Sequence, residues 1–231
     1  MISAAPYTPP LNNASGTATR KRLVDVVFAS CLMIVLFPIY ATLVIFLLLK
    51  QGRPLFYVAE RMKTPQTSFN LIKFRTMTVV DCDQGVSGAH KAARITPLGK
   101  WLRATRLDEL PQLWNILKGD MSFVGPRPPL REYVARFPEI YAQVLKSRPG
   151  VTGLATIRFH KHEDRLLKRC VTVEQTDDVY CRICVPRKAR LDLIYQRHCS
   201  IWYDFELVRQ TICNLFTRLR SQLRQCAVID R

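Results

Sequence analysis

The chain has 231 residues, 48% of them hydrophobic, and carries 35 basic against 18 acidic side chains for a formal net charge of +17. That length suits one domain with an appendage, and the charge calls for a polyanionic partner: nucleic acid, an anionic membrane surface or a phosphorylated substrate. No RNP motif, zinc-finger spacing or clear helix-turn-helix supports nucleic acid, and there is no Walker A loop, no GxGxxG and no internal repeat.

Residues 1–19, rich in Ala, Pro, Asn, Ser and Thr, read as a disordered tail. They are not a signal peptide, because the charges follow the tail and no apolar core lies inside it. Arg20, Lys21 and Arg22 then precede an apolar run from Leu23 to Leu49 in which Asp25 is the only charge. About 20 residues span a bilayer, so the plain reading of this run is one transmembrane helix. Two features oppose it. Pro38 interrupts backbone hydrogen bonding in the middle, and Lys50, Arg53, Arg61 and Lys63 make the far flank basic as well. The positive-inside rule gives such a run no orientation, whereas a helix that turns at Pro38 and leaves on the entry face satisfies both flanks.

Gln51 to Met77 reads as extended segments around turns. Alternation at Phe69, Leu71 and Lys73 to Phe74 predicts a short hairpin beside the membrane, with Lys73 and Arg75 on a solvated strand face. Val79 to Ala93 reads as a flexible loop. Thr96-Pro97-Leu98-Gly99 starts a helix carrying Trp101, Leu102 and Arg106.

The central stretch is KWLRATRLDELPQLWNILKGDMSFVGPRPP, from Lys100 to Pro129. It sets Asp108 beside Glu109, and Pro111 fixes a helix start close to them because proline fits only a first turn. One reading makes Asp108 an N-cap in the positive field of a helix end. The other makes it a nucleophile on a phosphoryl group, since a helix N-terminus among Arg and Lys residues also attracts anions. Two like charges this close are costly unless a cation or a role requires them. The stretch closes with a rigid Gly125-Pro126-Arg127-Pro128-Pro129 turn.

Two helical pieces follow, Leu130 to Phe137 and Glu139 to Leu145. Lys146 to Leu154 holds Arg148 and the turn signals Pro149-Gly150 and Thr152-Gly153; it reads as a surface loop or as a backbone cradle for a diphosphate. Phe159 to Arg190 adds Cys170, Cys181 and Cys184, with Cys199 beyond and His160, His162 and His198 nearby. One CxxC at irregular spacing is a weak zinc signal, so reduced thiols without structural disulfides are expected. Asp192 and Tyr195 share a face of the next helix. Ile201, Phe205, Val208, Ile212, Leu215, Phe216, Leu219 and Leu223 then trace an apolar stripe beside Arg209, Arg218, Arg220 and Arg224. Its first half is expected in the core and its Arg-rich end near lipid headgroups.

The run DELPQLWNILKGDMSFVGPRP resembles the signature of the bacterial sugar transferases, the monotopic polyprenyl-phosphate phosphoglycosyl transferases that prime surface-polysaccharide synthesis. KFRTM, RPGVTGLA and LDLIYQRHCSIWYDFELVRQT match on either side in the same order, so the resemblance covers roughly residues 21–211. It implies an α+β, mainly helical fold: a re-entrant helix-break-helix anchor over 20–50 with its break at Pro38, and a compact cytoplasmic domain over 51–231 with a small β-hairpin. It also implies transfer of a sugar-1-phosphate from a nucleotide-diphosphate sugar, a UDP-sugar by preference, to undecaprenyl phosphate at the inner membrane, initiating exopolysaccharide or glycoconjugate synthesis. By the same resemblance Asp108 attacks and becomes esterified. Glu109 contacts metal or assists the acceptor, and Asp108 and Glu109 hold Mg²⁺. Lys73, Arg75, Arg106, Arg127, Arg148, Asp192 and Tyr195 bind substrate or phosphate. Inner-membrane lipids are expected partners, a homodimer is compatible with the reading, and no nucleic acid is expected. The sequence departs from the family at Phe37, where Ser is common before the proline, and at Thr156, where Gln is usual. The rivals are a membrane-tethered scaffold and a basic nucleic-acid binder, both without catalysis.

Overall fold

The structure, a computed structural model, describes residues 14–79 and 94–229. It is mainly helical, with nine α-helices and two two-stranded sheets among those residues. Most of the loop expected over Val79 to Ala93, and the start of the expected tail, lie outside the described residues.

Helix α1, Ala14–Gln51, is 38 residues long. Among the described residues it is the one helix long and apolar enough to cross a membrane. It begins inside the expected tail, so residues 14–19 are helical. It also runs through Pro38 unbroken, and the expected helix-break-helix is a single element. A proline removes one donor and leaves neighbouring turns bonded, and here the Thr42 hydroxyl donates to the Pro38 carbonyl at 2.8 Å. Burial along α1 is confined to its two ends. Asp25 and Ala29 are buried at one, Leu43 and Leu47 at the other, and no residue from 30 to 42 is buried. Each pair has the spacing of one helical face.

Both ends of α1 pack on the same domain. Ala29 joins Phe69, Leu71, Ile116 and Met121, while Leu43 and Leu47 join Phe74 and Leu102. The expected hairpin is present: β1 (Phe56–Met62) pairs antiparallel with β2 (Ser68–Phe74), from Phe56 opposite Phe74 to Met62 opposite Ser68. Period-two alternation sends Phe69, Leu71 and Lys73 of β2 to one face.

Helix α2 (Pro97–Thr105) is capped by the Thr96 hydroxyl, which accepts from the Gly99 amide at 2.9 Å. A 3₁₀ turn (Leu107–Glu109) links it to α3 (Gln112–Lys118), whose N-cap position is Pro111. Asp108 is therefore not the cap of α3 but belongs to the turn before it. A second sheet was not foreseen: β3 (Ser122–Val124) pairs in parallel with β4 (Gly150–Thr152). Helices α4 (Arg131–Arg136) and α5 (Pro138–Val144) follow the expected pattern, split at Pro138.

The cysteine-bearing region is helical: α6 (Leu154–Leu167), α7 (Val173–Val179), a π-turn (Tyr180–Cys184) and α8 (Val185–Arg197). Cys170, Cys181 and Cys184 are buried free thiols. Cys181 and Cys184 pack with Tyr133, Tyr141, Phe159 and Leu167 in the largest core cluster. No group of three or more metal-binding side chains occurs among the described residues.

The last helix, α9 (Ile201–Ile229), divides its apolar residues between two faces. Leu207 is buried against Val124, Leu154 and Tyr195. Phe205, Ile212 and Phe216 of the expected stripe, and Trp202, face outward instead. At its start Asp204 binds Lys21 of α1 and accepts the Tyr195 hydroxyl at 2.6 Å, while that hydroxyl accepts from Lys21 at 3.0 Å. The foot of α1 is thereby tied to α8 and α9.

Candidate active site

Asp108 and Glu109 sit in the 3₁₀ turn that the end of α2 sets up. Arg106, the last residue before that turn, has φ 57°. A non-glycine residue in the left-handed region costs roughly 1–2 kcal/mol. The strained turn lets the Arg106 side chain fold back, and its Nη2 lies 2.6 Å from Glu109 Oε2.

Glu109 is the hub of the charges. Besides Arg106, it receives the Lys73 ammonium at 3.0 Å from β2 and has Arg127 Nη1 at 3.9 Å. Burial alone would raise its pKa, yet Lys73, Arg106 and Arg127 outweigh it and hold the carboxyl far below the usual carboxylate range. Lys73 is lowered by burial although Glu109 and Asp108 favour its charged form.

Asp108 has the opposite character. It is buried, and its carboxylate accepts no hydrogen bond among the described residues. Burial raises its pKa, the neighbouring Glu109 raises it further, and Lys73, Arg103 and Arg106 only partly offset this. Of two adjacent carboxylates, one is saturated by cations and the other is left open.

Arg127 projects from the Gly-Pro-Arg-Pro turn with 46% of its side chain exposed, while Pro126, Pro128 and Pro129 around it are buried. The turn is braced by the loop that carries Arg148. A Cβ on Gly125 would lie 2.2 Å from the Arg148 carbonyl oxygen, and one on Gly153 would lie 2.2 Å from the Gly125 oxygen. Only glycine permits this approach. The Gly150 amide donates to the Pro126 carbonyl at 2.8 Å and the Gly125 amide to the Thr152 carbonyl at 2.9 Å. The loop and the turn that carries Arg127 thus brace one another through their backbones.

The expected site residues thus separate. Lys73, Arg106, Asp108, Glu109 and Arg127 converge. Arg75 does not: its guanidinium donates to the Gln51 carbonyl at 2.7 Å and caps the end of α1. Arg148 has Arg22, Asp25 and Asp120 as charged neighbours at the foot of α1. Tyr195 is buried in the Lys21–Asp204 tie, its hydroxyl 3.2 Å from the Val124 carbonyl oxygen. Asp192 is buried on α8, where desolvation pushes its pKa up to about 7 against the pull of Lys188.

Sequence reasoning missed a second group of bases within electrostatic reach of Arg127. Arg61 from β1, His160 from α6 and Lys188 from α8 each feel its charge. Lys188 is held by Glu163 at 2.9 Å and by the Tyr180 hydroxyl at 3.4 Å. Arg61 extends the basic side of the hairpin, a signal that was legible. His160 and Lys188 lay in the stretch least like the family, and only the packing of α6 against α8 brings them in. An unpaired carboxylate, a guanidinium at a rigid turn and surrounding cations thus lie together, an arrangement that attracts anions.

Residues 16–218 match the family model for bacterial sugar transferases. The chain is 32% identical over 219 residues to a UDP-glucose:undecaprenyl-phosphate glucose-1-phosphate transferase of Klebsiella pneumoniae, covering 91% of this chain and 43% of that protein. A protein of the same name from Caulobacter vibrioides is 34% identical over 203 residues, covering 86% of this chain and 70% of its own. A UDP-N-acetylgalactosamine-undecaprenyl-phosphate N-acetylgalactosaminephosphotransferase of Aeromonas hydrophila is 29% identical over 203 residues, covering 85% and 44%. The chain spans less than half the length of the first and third of these relatives. With a family-model match over residues 16–218, the chain belongs to the bacterial sugar transferase family.

Proposed function

We propose that the protein transfers a sugar-1-phosphate from a nucleotide-diphosphate sugar, a UDP-sugar by preference, to undecaprenyl phosphate through an ester on Asp108, and so starts a polysaccharide or glycoconjugate. The observation that carries this reading is the open Asp108 carboxylate beside a Glu109 saturated by Lys73, Arg106 and Arg127. An Asp108 oxygen attacks the β-phosphorus, and the bond from that phosphorus to the bridging oxygen breaks. The nucleoside monophosphate leaves with the electron pair. A phosphate oxygen of the acceptor then attacks the same phosphorus, the bond to Asp108 breaks, and the lipid-diphosphate sugar departs. Arg127 binds the phosphoryl oxygens as they gain charge. Glu109 keeps Lys73 and Arg106 charged and in place.

Mg²⁺ fits this arrangement with one change. Both Glu109 oxygens are engaged by cations, so the protein oxygens free for a metal are those of Asp108. Mg²⁺ commonly binds through one or two carboxylates plus substrate phosphates, and it would neutralise charge on the diphosphate.

Burial supports the anchor reading. Pro38 and its exposed neighbours Ile34, Val35 and Phe37 lie between two ends that both pack on the domain, which favours a re-entrant segment dipping into the inner membrane from the cytoplasmic face. The outward face of α9, with Trp202, Phe205, Ile212 and Phe216, then rests on the same membrane surface. On this reading the acceptor phosphate and Asp108 would share one depth.

The test is to incubate detergent-solubilised protein with undecaprenyl phosphate, Mg²⁺ and a panel of UDP-sugars, and to measure UMP. Release is expected with at least one sugar and is lost when a chelator removes Mg²⁺. No UMP from any of them sinks the reading. In the active system Arg127→Lys keeps the charge and loses the planar fork, so kcat/KM should fall by about tenfold; an unchanged rate would remove the bidentate contact.

A further inference from the structure

The contact between β2 and α3 decides whether Lys73 reaches Glu109, and most of it is apolar: Phe69 and Leu71 against Ile116 and Met121, flanked by Leu113 and Leu117. Apolar contacts are not directional and do not by themselves fix how far one element slides along the other. One polar side chain crosses this interface. Asn115 is 2% exposed. Its Oδ1 accepts the Ile72 amide at 3.2 Å and its Nδ2 donates to the Asn70 carbonyl at 2.8 Å.

Asn70 and Ile72 have the same parity on β2, so their backbone groups point to the same edge. The Asn115 amide occupies that edge as the peptide of a neighbouring strand would, which sets the register of β2 against α3. The Asn115 backbone is fixed in turn, because its carbonyl accepts the amides of Gly119, Asp120 and Met121 at 3.1, 3.0 and 3.3 Å. Lys73 directly follows the pinned Ile72, and Glu109 lies just before the helix that carries Asn115.

We infer that Asn115 is a positioning residue for the transfer reaction: its side-chain amide clamps the strand bearing Lys73 to the helix that follows Asp108 and Glu109, and so sets the Lys73–Glu109 ion pair. This rests on the transferase reading above. Asn115 does not touch the reacting atoms and acts through Lys73.

A double-mutant cycle measured as kcat/KM for UMP release, with radiolabelled donor for sensitivity, separates this role from mere support of the fold. Asn115→Ala is expected to lower kcat/KM by roughly 10- to 100-fold in the native background, a misplacement effect. In the Lys73→Ala background it should cost no more than about twofold, because the pair it serves is already gone. Leu167→Ala, in the distant helical core, serves as a control of matched thermal destabilisation and should leave kcat/KM within about twofold. If Asn115→Ala does not fold, Asn115→Asp, which keeps the acceptor for Ile72 and removes the donor to Asn70, takes its place. If the Lys73→Ala background falls below detection, the Leu167→Ala control decides alone. Equal losses in both backgrounds, or equal losses in Asn115→Ala and the control, overturn the assignment while an active wild type leaves the transferase reading standing. A wild type that releases no UMP overturns both.

Discussion

Asp108→Asn should lower transfer by at least about 10⁴-fold, the scale seen when a covalent nucleophile is removed, and Asp108→Ala should do the same. The purified Asp108→Asn protein should nevertheless fold, and in metal-free buffer near neutral pH it should melt at or above the wild-type temperature. The sign follows from the raised pKa of Asp108, caused by burial and then by Glu109. A carboxyl whose folded pKa lies above its unfolded value contributes stability below the unfolded pKa, and that stability is lost as pH rises through the folded one. The amide removes this loss. Thermal melts from pH 4 to pH 7 check it, alongside trapping of radiolabelled phosphosugar on the wild type and its absence on the variant. Substantial turnover by Asp108→Asn would end the nucleophile assignment.

Glu109→Gln should behave in the opposite way toward stability. The wild-type carboxyl is held down by Lys73, Arg106 and Arg127 against the upward push of burial, so its stabilisation is present above the ordinary carboxylate pKa and is lost as pH falls through the depressed value. Removing one partner of a buried ionic cluster costs about 3–5 kcal/mol. For a chain of this size that lowers the melting temperature by on the order of 10 °C. Activity should fall by roughly 10²–10³-fold, because Lys73 and Arg106 lose the group that aims them. The two adjacent substitutions therefore separate chemistry from support: Asp108→Asn is dead and stable, Glu109→Gln is impaired and unstable. A Glu109→Gln protein as stable as wild type at pH 7 would contradict the hub geometry.

The candidate pair was legible because the signature run puts Asp108, Glu109 and Arg127 in one continuous stretch, and the resemblance at KFRTM picked out Lys73. It misplaced Arg75 for a physical reason. Lys73 and Arg75 share parity, so a strand continued to Met77 would show both on one face. The strand ends at Phe74, and Arg75 turns to the carbonyls at the end of α1. In the glycine loop, paired turn signals mark backbone freedom but not the parallel strand that Gly150–Thr152 forms with β3. The helix is continuous through Pro38 because a proline costs local hydrogen bonds without dictating where a helix ends. His160, Lys188 and Asn115 depend on which helices pack together, a long-range fact that spacing along the chain does not carry.

The burial of Ala29, Leu43 and Leu47 has a practical corollary. The same side chains that seat the apolar helix also close the floor beneath β2 and α2. A chain cut after Gln51 to obtain a water-soluble catalytic fragment would strip α1 from the contacts of Phe69, Leu71, Phe74 and Leu102, so the apolar helix and the rest of the chain share buried core. Solubility would have to come from recolouring Ile34, Val35 and Phe37 with polar side chains while the two seats stay intact.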